Sequence, residues 1–153
     1  MSTPDPPPVS IIPLLSDKVK DCAREAWKEA RPVAESLPKP KRSTIARFFA
    51  TDACDAPINA AISEYSIKTR LYQTSRCLPR EISTYKRGGL VVFPGEAAVG
   101  QTFTIMIPLH ICGEVTIEGL VLDTDHYYHI ARECKIDVPE GAKLSVLVIS
   151  DFT

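Results

Sequence analysis

The sequence predicts an α+β fold, a mostly antiparallel twisted sheet packed against helices, with a flexible proline-rich N-terminal tail. Three observations carry the prediction. Phe103, Ile105, Ile107, Leu109 and Ile111 alternate with Thr102, Thr104, Met106, Pro108 and His110, the period-two pattern of a strand with one buried face. Val19, Cys22, Ala23, Ala26, Trp27 and Ala30 recur at helical spacing, with Lys18, Lys20, Asp21, Arg24, Glu25 and Lys28 on the other side. Of 13 prolines, Pro4, Pro6, Pro7, Pro8, Pro13, Pro32, Pro38, Pro40 and Pro57 all precede residue 60, so the front of the chain is punctuated and the back is not.

Taken in order, residues 1–15 are expected to form the tail, where Pro6, Pro7 and Pro8 favour polyproline geometry and offer a docking peptide. Residues 16–31 form a helix capped by Ser16 or Asp17 and ended by Arg31-Pro32, because a residue before proline avoids helical geometry. Residues 32–43 read as a basic, proline-rich linker, and residues 44–153 as the sheet-containing core. Within that core, Ser43 or Thr44 caps a short helix carrying Ile45, Phe48 and Phe49, and Asp55-Ala56-Pro57 starts one further helical turn. Alternation from Tyr65 to Tyr72 predicts a half-exposed strand. Gly88-Gly89 breaks the chain before a short buried strand over Leu90 to Phe93, and Pro94-Gly95 turns it. A hairpin spans Phe103 to Leu122, with Gly119 marking a bulge or a close backbone approach. Tyr127, Ile130, Ala131 and Cys134 fall at i, i+3, i+4 and i+7, which predicts a helix over Asp125 to Lys135. Leu144 to Ile149, apolar on both faces, reads as a central strand.

Composition narrows the class. With 153 residues, 44% hydrophobic and 24% charged, the chain is large enough to bury one core and is not of disordered composition. Cys22, Cys54, Cys77, Cys112 and Cys134 are odd in number and contain no C-x-x-C pair, which points to a reducing compartment. No apolar run has the length of a signal peptide core or a membrane span, and Met1-Ser2-Thr3 lacks the glycine that myristoylation requires, so membrane contact is expected to be peripheral.

The net charge of −1 conceals a division. Residues 1–87 carry 15 Lys/Arg against 10 Asp/Glu, net +5, and residues 88–153 carry 3 against 9, net −6. The candidate anion-binding groups are Lys39, Lys41 and Arg42 of the linker, and Lys68, Arg70, Arg76, Arg80, Lys86 and Arg87, interspersed with Tyr72 and Tyr85. Basic residues with aromatic neighbours suit phosphate contact and base stacking, and a charged strand edge that resists aggregation has the same composition. The acidic back half offers a complementary surface to a second copy.

Signatures of catalysis are missing: there is no phosphate-binding glycine loop and no nucleophile elbow. His126, His129 and Glu133 would share a face of the expected helix, a weak metal-binding pattern, and His110 stands on the polar side of a strand without a nucleophile tied to it. We expect no catalytic residues, no metal, no cofactor and no small-molecule substrate. The competing expectations are a small hydrolase or metal enzyme using these histidines, and a soluble adaptor using the polyproline tail or an exposed sheet edge.

The order of Pro6-Pro7-Pro8, the strand Tyr65 to Tyr72, the hairpin Phe103 to Leu122, the helix Asp125 to Lys135 and the strand Leu144 to Ile149 resembles the matrix proteins of rhabdoviruses, particularly the short ones of plant-infecting members. The resemblance covers about the last ninety residues, as pattern. It implies a non-enzymatic structural protein of the virion and host cytoplasm that self-associates and bridges viral ribonucleoprotein and the inner face of an anionic membrane. The groups carried over would be those of the linker and of Lys68 to Arg87. The chain departs from that family in its pI near 6.3 and in lacking a tyrosine after the tail prolines.

Overall fold

A computed structural model describes residues 11–69 and 85–151. Among the described residues, two antiparallel sheets and two α-helices make the fold α+β. The elements are β1 (Ile11–Leu15), α1 (Asp17–Glu35), β2 (Ile45–Phe48), α2 (Asp55–Thr69), β3 (Tyr85–Val92), β4 (Gly95–Val99), β5 (Thr104–Cys112), β6 (Thr116–Ile117), β7 (Leu120–Val121), β8 (His126–Ile130), β9 (Cys134–Val138) and β10 (Lys143–Asp151). The large sheet runs β1-β8-β5-β10-β3-β2 and the small one β4-β9-β6-β7.

Each face of the large sheet has its own core. On one side Ile105, Ile107 and Leu109 of β5, Leu147 and Ile149 of β10, Val91 of β3 and Tyr127 of β8 pack against the helices. On the other, Met106, Leu144, Val146, Leu90, Val92, Tyr128 and Ile130 meet Ala97, Val99, Ile117, Ile136 and Val138 of the small sheet. The layers are therefore helices, six strands and four strands. The expectation of a central strand over Leu144 to Ile149 holds, since β10 pairs with β5 on one side and β3 on the other. Pro108 occupies a central strand because it sits where the β5 to β10 register shifts, at a bulge that needs no donor.

Helix α1 begins where expected, with Ser16 capping: Val19 N–H donates to Ser16 Oγ at 3.2 Å. It does not end at Pro32. Ala34, one turn beyond Ala30, is fully buried, and that burial offsets the bond lost at the proline. The buried stripe of Val19, Ala23, Ala26, Ala30 and Ala34 is almost all small, which lets α1 lie close to α2 and the sheet.

Several expectations are overturned. Residues 11–15 are not tail but β1, paired with β8; Leu14 is buried, and Pro13 is tolerated because an edge strand bonds on one side only. Ile45–Phe48 is a strand, not a short helix, because pairing with β3 buries Ala46 and Phe48. The expected helical turn at Asp55 grows into α2, which replaces the first residues of the strand expected from Tyr65 to Tyr72; Ile58, Ala61 and Tyr65, at i, i+3 and i+7, are buried, with Pro57 and Ala60 beside them. The remainder of that strand lies outside the described residues. The hairpin from Phe103 to Leu122 is divided, with β5 in the large sheet and β6 and β7 in the small one. Gly119 marks neither a bulge nor a close approach: Glu118 (φ 48°) and Gly119 (φ 82°) are the paired positive-φ residues of a two-residue hairpin turn. Glu118, rare in that conformation, is held by its N–H donating to Lys135 O at 3.0 Å and by Oε1 accepting from Lys135 N–H at 2.9 Å. The helix over Asp125 to Lys135 is two strands, β8 and β9. Tyr127 to Ile130 are buried consecutively, as in a strand covered on both faces, and the helical spacing there is coincidental.

Candidate functional site

The small sheet does not cover the whole inner face of the large one. Near the β2 edge the two diverge, leaving a cleft of about 650 Å³. Register places its floor. Thr104, Ser150 and Lys86 lie side by side on β5, β10 and β3; Val148 pairs with Gly88 in the next inward row; Leu90 pairs with Arg47, and Val92 with Ile45. Ala98 to Thr102, leaving β4, form the opposite wall, and Phe49 stands at the rim, 96% exposed. Among the described residues its lining includes Arg47, Lys86 and Arg87 and no carboxylate. Arg87 is ion-paired with Asp55 at the start of α2. Thr104 Oγ1 donates to the Thr102 carbonyl at 2.9 Å, which ties the wall to the floor.

The two adjacent glycines of β3 have opposite surroundings. A Cβ on Gly89 would overlap the Phe48 ring, so that glycine is needed for the aromatic ring that covers it. On Gly88 a Cβ would meet no described atom within 4 Å. A glycine inside a strand costs roughly 0.5–1 kcal/mol relative to alanine, and at position 88 it keeps the cleft open rather than accommodating a neighbour.

The anion-binding residues read from the sequence do not form one patch. Lys39, Lys41 and Arg42 are exposed just before β2, whereas Lys86 and Arg87 flank its far end, as the β2 to β3 register shows. Lys68 is on α2. Arg70, Arg76 and Arg80, like Pro6, Pro7 and Pro8, lie outside the described residues. Sequence reasoning missed Arg47, Phe49 and Gly88. The signal was present in Arg47-Phe48-Phe49, a cation beside two aromatics, but assignment to a helix separated it from Lys86.

The histidines do not assemble. His126 and His129, three apart on a strand, project to opposite faces. His129 is fully buried among Tyr65, Phe103 and Tyr127, ring centroids 5.3 to 5.8 Å away. His110 is stacked on Trp27 at 5.1 Å with planes 4° apart. Among the described residues no group of three His, Cys, Asp or Glu is placed to hold a metal ion. Burial pushes the Cys134 thiol up, and the nearby Glu118 carboxylate adds to the shift, which disfavours the reactive thiolate.

Two polar constellations brace the fold. Glu64 accepts from Ser16 Oγ at 2.7 Å and from Tyr127 Oη at 3.1 Å, joining the start of α1 to α2 and β8. Before β8, Asp123 Oδ1 accepts from the N–H groups of Asp125 and His126, both at 2.9 Å, and lies 2.7 Å from His126 Nδ1. Partial burial of Asp123 would raise its pKa, but the bonds and charge of His126, with the Asp125 N–H, outweigh it and hold the carboxyl below its ordinary 3.8. Burial raises the Tyr128 phenol, whose oxygen accepts from Asp123 N–H at 3.0 Å.

Comparison with known proteins finds no matching family model, no matching curated protein and no matching solved structure. Among the described residues no helix is long and apolar enough to cross a membrane.

Proposed function

We propose that this chain is a non-enzymatic, matrix-like structural protein that self-associates and bridges ribonucleoprotein and the inner face of a membrane. Anion contact is made at the cleft beside β2 and along the linker that precedes it. One observation supports this above the others: Arg47 and Lys86 face a cleft that is lined by no carboxylate among the described residues, next to an almost fully exposed Phe49. Cations recruit phosphate, and an exposed aromatic side chain suits either a lipid interface or a stacked base.

Sedimentation of the full chain at low and high salt, alone, with anionic liposomes and with single-stranded RNA, tests the proposal. The expected result is salt-reversible oligomers that pellet with lipid and RNA, and weaker binding by an Arg47→Gln, Lys86→Gln double variant. On single strands each phosphate contact removed should flatten the salt dependence by roughly 0.7 in log–log slope. A monomer indifferent to salt, lipid and RNA overturns it. That outcome favours the second reading, a protein adaptor, for which the observation is the four-residue edge strand β2 ending at exposed Phe49.

A further inference from the structure

We propose that the cleft binds a single-chain amphipathic anion, a carboxylate or phosphate carried on an alkyl chain. The inference rests on reading the cleft as an anion site, and does not require self-assembly. Its two ends differ in chemistry. At one end Lys86 and Ser150 are side by side on adjacent strands, with Gln101 and Thr102 on the facing wall, so a charged head would find a cation and neutral hydrogen-bonding groups. Inward from there the floor becomes Gly88 and Val148, then Leu90 and Ile45, against Val99 opposite. That succession offers a charged head one end and an apolar chain the rest.

The size fits. About 650 Å³ is within the range of roughly 300–1,000 Å³ typical of small-molecule sites. Gly88 is the independent observation. It lies in the interior of a strand, where any side chain would improve strand propensity, and a side chain there would enter open space. Its backbone is not in the left-handed region, so conformation does not demand glycine. What its absence of side chain achieves is an unobstructed floor between the polar end and the apolar one. Arg47 stands beside the apolar part of the floor, four β3 positions from Lys86 by register, so Lys86 is the head-group contact.

Isothermal titration of the full chain with four probes below their aggregation limits tests the assignment: dodecanoate, dodecyl phosphate, dodecanol and inorganic phosphate. The expected result is saturable binding of one amphiphilic anion per chain, at least about tenfold tighter than either dodecanol or inorganic phosphate. The preferred anion identifies the head group. Gly88→Leu, which puts a side chain in the middle of the floor between the polar end and the apolar one, should abolish binding, and Lys86→Gln should weaken it about tenfold, more than Arg47→Gln. Gly88→Ala provides the folding control. Equal binding of inorganic phosphate reduces the cleft to a bare anion site and overturns the inference. Equal binding of dodecanol, unchanged binding by Gly88→Leu, or no binding at all overturns it equally. Failure here with intact salt-dependent binding to liposomes and RNA removes this inference and leaves the matrix-like reading. Amphiphile binding without lipid, RNA or self-association does the reverse.

Discussion

Leu147 and Val148 are neighbours on the central strand β10, yet they stand in different environments. Leu147 points to the helices and is fully buried; Val148 points to the cleft and is only partly buried. The same contrast recurs one strand over, where Gly89 lies against the Phe48 ring and Gly88 borders open space. A strand whose two sides are both apolar in sequence can thus have one side filled by packing and part of the other left vacant. Side chains on that open part contribute less packing, and binding has room to act there.

The largest test of this contrast truncates one aliphatic side chain to alanine on each of the two sides. Leu147→Ala should cost about 2–5 kcal/mol, since a fully enclosed side chain leaves a cavity its neighbours cannot collapse into. Val148→Ala should cost about 1 kcal/mol or less, because part of the side chain already faces solvent. Urea unfolding of both variants measures the difference, and equal losses would show that the cleft is closed in solution. The glycine pair gives a smaller effect of opposite signs. Gly89→Ala should destabilise by about 1–3 kcal/mol through overlap with Phe48. Gly88→Ala should be neutral or stabilise by about 0.5 kcal/mol, because it restricts the unfolded chain and meets nothing in the folded one. A loss at position 88 equal to that at 89 would break the comparison.

Legibility in the sequence follows the same division. Helix α1 was readable because its period is set by one buried face, β5 because its Ile and Leu residues alternate with others although both of its faces are buried from Thr104 to Leu109 rather than the one expected, and β10 because burial on both sides leaves a continuous apolar run. Strand β8 was not. His126-Tyr127-Tyr128-His129-Ile130 is covered on both faces, so it lacks alternation, and Ala131 and Cys134 complete a helical spacing by chance. Helix α2 failed for the complementary reason: its polar and apolar residues are not segregated enough to outweigh a short alternating run at Tyr65. The cleft was invisible because it depends on pairing between β2 and β3, some forty residues apart, and on a glycine whose sequence signature is that of a chain break. Two cations on separate strands facing one space are a tertiary fact, and the local charge density near Lys68 to Arg87 pointed to only Lys86.

The turn before β8 should respond to acid, and this is the smallest effect expected. Asp123 has its carboxyl held below 3.8 in the folded protein. A carboxyl lowered on folding contributes stability that is complete above its unfolded value and is lost as pH falls through the folded one. Asp123→Asn keeps an oxygen able to accept from the Asp125 and His126 N–H groups but removes the charge. Because the Asp123 side chain is 48% exposed, solvent screens much of the charge interaction, and the expected loss at pH 6 is only about 0.5 kcal/mol. The gap between wild type and variant should shrink steadily below the ordinary carboxylate range and close once Asp123 is protonated in both states. Unfolding midpoints in urea from pH 6 to pH 2.5, with Leu147→Ala as a reference whose penalty stays constant, measure this. A gap that does not change with pH would mean that the Asp123 charge contributes nothing, and that the turn is held by backbone geometry alone.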